Sequence, residues 1–146
     1  MAGYGFVINL EPIPKGRPRV TTRNGHGANY TPKKTRDAEA AIVADLQRQF
    51  SPPFGTLLGP LTVQLDIYRK MPKSTLVRDR GILGTIPAKR PAVKPDFDNF
   101  SKLLLDAATT AGVWRDDAQI AEFYCRQFYA PYGRDGWWVL QVECLP

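Results

Sequence analysis

Cysteine, histidine and long apolar runs are what this chain has least of, and each scarcity removes a class of chemistry. Its two cysteines, Cys125 and Cys144, stand far apart in 146 residues and inside apolar, strand-like stretches. Buried thiols are therefore expected, in preference to a disulfide or a zinc site, which usually takes four ligands. The single histidine, His26, lies in a basic loop with nothing to bring it near an acid, so a general-base role is not expected of it. No apolar run approaches the roughly 18 residues of a membrane span, and the start Met1-Ala-Gly-Tyr-Gly-Phe6 lacks the regions of a signal peptide. A cytoplasmic protein without membrane contact is the expectation. Acids are scarce too, 14 against 20 Lys and Arg.

What is present fits one globular domain spanning residues 1–146, with 43% hydrophobic residues and length enough to bury a core. The net charge of +6 points to a polyanionic partner. Its distribution sharpens this. Lys15, Arg17, Arg19, Arg23, Lys33, Lys34 and Arg36 share one segment free of acids, and Arg69, Lys70, Lys73, Arg78, Arg80, Lys89, Arg90 and Lys94 share another with Asp79 alone. Both segments read as loops, and two solvated faces are the competing reading; the candidate nucleic-acid contacts are Lys15, Arg17, Arg19, Arg23, Lys33, Lys34, Lys73, Lys89, Arg90 and Lys94.

Alternation predicts strands over Tyr4 to Glu11 and Leu61 to Tyr68, with two more near Ile120 to Tyr129 and Trp137 to Cys144. Residues 12–32, with Asn24-Gly25, read as a long basic loop or loose hairpin. Thr31 is placed to cap a helix running from about residue 32 to 50, with Pro32 at its first position. Phe100, Leu103, Leu104, Ala107, Ala108 and Ala111 form an apolar stripe that predicts a second helix over 99–111, ended by Gly112. The fold class expected is α+β, a mixed sheet of about four strands against two main helices.

The scarce acids gather in one place: Lys94-Pro-Asp96-Phe-Asp98-Asn-Phe-Ser-Lys102-Leu-Leu-Leu-Asp106, then Asp116-Asp117-Ala-Gln119. Pro95 favours extended backbone before it, and two-residue spacing would send Asp96 and Asp98 to one side. Asp98 or Asn99 could equally cap the helix. Asp98, Lys102 and Asp106 share a polar helix face, where a plain surface ion pair is the competing explanation for the lysine. Of Asp116 and Asp117, adjacent on extended chain, one is expected to bind and the other to support or cap. Clustered Asp oxygens without His or Cys suit Mg²⁺, or Mn²⁺ in its place. Beside phosphate-seeking bases they suggest phosphodiester hydrolysis. No Gly-rich phosphate loop or serine-nucleophile motif is present, and no organic cofactor is expected.

The pattern Lys94-Pro-Asp96-x-Asp98-Asn-x-x-Lys102-x-x-x-Asp106, followed by Gly112-Val-Trp-x-Asp116-Asp117-x-Gln119, resembles the RusA family of Holliday-junction resolvases. The loop Pro14-Lys15-Gly16-Arg17-Pro18-Arg19 and the segment Tyr30-Thr31-Pro32 look like family members as well. Phe100 departs from the aliphatic residue usual after Asp-Asn, a change of packing rather than chemistry. The resemblance implies a small homodimeric, Mg²⁺-dependent endonuclease, of a kind commonly encoded by phages and prophages, that cuts four-way DNA junctions by paired nicks. It implies Asp96, Asp98 and Asp117 as catalytic metal ligands, Lys102 as the catalytic cation, and Asp106 and Asp116 as supports, with Asp106 pairing to Lys102. Two alternatives stay open: a nuclease for forks or flaps, and a DNA-binding module without catalysis.

Overall fold

The computed structural model describes residues 3–23, 25–50, 55–73 and 90–146. In chain order come β1 (Gly3–Ile8), β2 (Arg19–Arg23), β3 (His26–Tyr30), α1 (Lys33–Gln49), β4 (Leu61–Arg69), α2 (Phe97–Ala111), a 3-10 turn (Asp117–Gln119), β5 (Ile120–Tyr129) and β6 (Trp137–Cys144). Four strands form a mixed sheet in the order β1-β6-β4-β5, and β2 and β3 form a separate hairpin. β4 and β5 run parallel while the other pairs are antiparallel, so α2 lies in the crossover between parallel neighbours. This is the expected α+β domain.

The period-two pattern of β4 explains the layering. Leu61, Val63, Leu65 and Ile67 are fully buried on one face, joined by Trp138, Leu140 and Val142 of β6 and Phe6 and Ile8 of β1. Against them pack Ile42 and Leu46 of α1 and Phe100, Leu103, Leu104, Ala107 and Ala108 of α2. On the opposite face, Gln141, Glu143 and Tyr124 are exposed. Asp66 is the buried exception there. Arg126 of β5 grips both of its oxygens at 2.7 Å, and this hydrogen-bonded pairing raises the arginine's pKa.

Several expected boundaries shift for identifiable reasons. β1 stops at Ile8 instead of reaching Glu11, whose carboxylate leaves the sheet to accept from the N–H groups of Lys70 and Gly136. Pro32, not Thr31, holds the cap position of α1 and offers no side-chain bond, while Thr35 turns inward to accept from the Gly16 N–H at 2.9 Å. α2 begins at Phe97, two residues earlier than the apolar stripe indicates, and ends at Gly112 in the left-handed region with φ 84°. Both cysteines are free and only half-buried. Burial nonetheless pushes the Cys125 thiol upward, against a smaller opposing hydrogen bond with Ser101. Among the described residues no helix is long and apolar enough to cross a membrane.

Candidate active site

The start of α2 sets the geometry of the first two acids. Asp96 takes the cap position with φ −71° and ψ 151°, and Phe97 is already helical, so Asp98 sits inside the first turn. The expected extended run through both acids is absent, and neither Asp98 nor Asn99 is the cap. The two carboxylates instead flank the positive end of the helix, whose dipole favours negative charge there. Both are exposed. The Asp96 side chain makes no capping bond and has no partner among the described residues, while Asp98 stands 4.0 Å from the Lys102 ammonium.

Arg69, at the end of β4, pins this segment to the sheet. Its guanidinium donates to the carbonyls of Val93 at 3.1 Å and Lys94 at 3.1 Å, reaches the Pro95 carbonyl at 3.5 Å, and bonds Gln127 Oε1 at 3.2 Å. The same group lies over the Phe100 ring, 5.0 Å from its centroid, and partial burial lowers its pKa, with Tyr129 and Glu11 opposing. Residues 91–98 and Gln127 thereby line an open cleft of about 430 Å³ with Asp96 and Asp98 on its wall.

The remaining acids are held elsewhere. Asp106 pairs with Lys15, which arrives from the loop after β1, so the implied pairing with Lys102 is replaced by a partner 91 residues distant. Asp116 caps the 3-10 turn: its Oδ1 accepts from the Ala118 N–H at 2.8 Å, and Gln119 Oε1 answers by accepting from the Asp116 N–H at 3.1 Å. Asp117 Oδ1 accepts from Thr109 Oγ1 and from Trp114 Nε1, the latter at 3.0 Å. Thr109 lies in the last turns of α2, so Asp117 is fastened to the end of that helix opposite Asp96.

Two rulers give the separation. From Asp98 to Thr109 along α2 is about 16 Å at 1.5 Å per residue. From Ile120 to Gln127 along β5 is roughly 23 Å at 3.3 Å per residue. Accordingly, among the described residues no group of three or more His, Cys, Asp or Glu stands close enough to hold one ion. The donor chemistry, hard carboxylate oxygen, fits Mg²⁺, but among the described residues of one chain only Asp96 and Asp98 of these acids line a common cleft.

The candidate DNA contacts divide similarly. Arg17, Arg19 and Lys34 border one groove at the start of α1, and Lys33 is exposed beside it. Lys73 and Lys94 are exposed, whereas Arg90 donates to the Gln127 carbonyl at 3.0 Å and lies over Phe128, 4.4 Å from the ring centroid. Lys89 and the Arg23 side chain fall outside the described residues. His26 is exposed in β3, on the hairpin. The expectations from sequence missed Arg69, counted only as one base in a run, and Thr109, which carries no charge to signal its role. The three-residue step from Trp114 to Asp117 was a usable clue.

Comparison with known proteins identifies the family. Residues 9–134 match the family described as Endodeoxyribonuclease RusA. A relative from Bacillus subtilis (strain 168), the uncharacterized protein YqaN, is 31% identical over 134 residues, covering 86% of this chain and 87% of its own length. The chain belongs to the RusA endodeoxyribonuclease family, and it is a hydrolase that acts on DNA.

Proposed function

We propose that this protein resolves Holliday junctions by paired, symmetric, Mg²⁺-dependent nicks, acting in the cytoplasm as a homodimer. The observation that carries the reading is the exposed Asp96, without a partner among the described residues, beside Asp98 and Lys102 at a helix start, in a chain of net charge +6. Carboxylates left open in so basic a protein suit a cation and a phosphate better than they suit stability.

Separation of Asp117 from the other two acids supports the dimer. In a two-fold assembly, contacts are reciprocal, so Asp96 and Asp98 of one copy facing Asp117 of the partner subunit would recur at a second, identical site. Two such sites at fixed spacing suit opposed strands of a four-way junction. These three acids would hold Mg²⁺, or Mn²⁺ in its place. A divalent ion bound there supplies Lewis acidity toward a phosphoryl oxygen and water. Lys102, at the end of a flexible, largely solvated side chain, offers positive charge to the phosphate as negative charge builds on it. Arg17, Arg19, Lys33 and Lys34 would hold the junction arms through phosphates, which positions DNA without reading its sequence.

The test is cleavage of a synthetic four-way junction, a fork and a linear duplex, with and without Mg²⁺, and with cuts mapped on every strand. Symmetric nicks in the junction alone, only with the metal, are expected. Equal cutting of the linear duplex would refute junction resolution.

A further inference from the structure

We propose that Lys15 is a positioning residue: by occupying Asp106, it leaves Lys102 free to face Asp98 and the scissile phosphate. This rests on the nuclease reading of Lys102 given above. Asn99, Lys102 and Asp106 follow one another at helical spacing along one side of α2. Lys15 lies along that side. Its backbone N–H donates to the Asn99 carbonyl at 3.0 Å, and its ammonium pairs with Asp106 Oδ2. The next residue, Gly16, donates its N–H to Thr35 Oγ1 at 2.9 Å, which ties the same loop to α1.

Exposure decides which pairing dominates. The side chains of Lys15 and Asp106 are 32% and 36% exposed, against 65% and 54% for Lys102 and Asp98, whose closest approach is 4.0 Å. A close, shielded pair holds; a distant pair in water is weak and easily displaced by a phosphate. Lys102 and Asp106 stand four residues apart with the lysine first, the less favourable order on a helix, but still within reach. Without Lys15, Asp106 becomes a bare carboxylate one turn from Lys102 and competes with the substrate for its ammonium.

A phosphate contact and a positioning residue predict different losses. Four proteins would be compared with wild type on a four-way junction: Lys15→Ala, Lys15→Arg, Asp106→Asn and the double variant Lys15→Ala/Asp106→Asn, each checked for folding by thermal melting. Lys15→Ala is expected to lower the single-turnover rate at saturation by about tenfold or more, with junction affinity within about twofold. Lys15→Arg retains most of the rate. The double variant recovers much of what Lys15→Ala lost, because the competing carboxylate has gone. Weakened affinity with an unchanged rate at saturation, or a double variant no faster than Lys15→Ala, would overturn the proposal.

A second readout does not depend on cleavage. In NMR spectra of the lysine side-chain methylenes, Asp106→Asn is expected to move the Lys15 signals in the wild-type background and the Lys102 signals only when Lys15 is Ala. Movement of Lys102 with Lys15 present would overturn the proposal. If wild type cut no junction, the proposed function would fail while this pairing could still be judged.

Discussion

Replacing Arg69 by Ala removes the clamp between β4 and the Asp96 segment, and its cost can be worked from the contacts. Three of the donated bonds are well formed, to Val93 and Lys94 carbonyls at 3.1 Å and Gln127 Oε1 at 3.2 Å, while the fourth, to Pro95 at 3.5 Å, is marginal. A hydrogen bond from a charged donor contributes about 1.5–3 kcal/mol when shielded. The cleft is open to water, so a value of about 2 kcal/mol for the whole clamp is reasonable. That energy holds a surface segment against β4 and β5, so its loss changes how often Asp96 is correctly placed more than whether the domain folds. About 2 kcal/mol corresponds to roughly a thirtyfold change in the ratio of clamped to released segment, the upper limit for the change in the clamped population. Single-turnover cleavage of a four-way junction is therefore expected to slow severalfold, by up to about thirtyfold, with the melting temperature changing little. Arg69→Lys keeps the charge but not the fork, and should resemble Arg69→Ala. A Lys variant cutting at nearly the wild-type rate would refute the clamp and leave a generic positive charge.

Three other perturbations follow from the same contacts. An added Cβ at Gly136 would lie 1.8 Å from the Tyr68 carbonyl oxygen, a backbone atom, so Gly136→Ala should cost about 1–3 kcal/mol, visible as a lower urea midpoint; an unchanged midpoint would contradict the packing described. Burial raises the Cys125 pKa, so its contribution to stability is fully present below the unfolded thiol pKa and is lost as pH rises through the folded one. Stability should accordingly fall at alkaline pH by less in Cys125→Ala than in wild type, measured by urea unfolding. Replacing Arg17 and Arg19 together by Ala should reduce the slope of log affinity for a junction against log salt by about 2, one per phosphate contact, whereas an unaltered slope would exclude both from DNA contact.

How far sequence predicts this molecule depends on the range of the interaction concerned. β5 and β6 begin and end where alternation puts them, because each strand's burial pattern is local and the loop between them is rich in turn residues. The apolar stripe of α2 was equally plain, but its start was not: the stripe begins at Phe100, whereas Phe97, 52% exposed, occupies the first turn and adds nothing to the buried face. The partner of Asp106 was invisible, since a helix-spaced lysine was at hand and the actual one came from a distant loop. The location of Asp117 was not legible in spacing either. Only Thr109 and Trp114, neither charged, decide that it stays at the far end of α2.

The central claim, an active site completed by Asp117 of the partner subunit, is tested most directly by mixing two inactive proteins. Asp98→Asn and Asp117→Asn homodimers are each expected to bind junctions without cutting them. After unfolding, mixing and refolding, a mixed dimer would contain one site with all acids intact and one with both defects. The account predicts that the mixture regains cleavage, as single nicks rather than paired ones. A mixture that exchanges subunits, shown by mass spectrometry, and still fails to cut would contradict it.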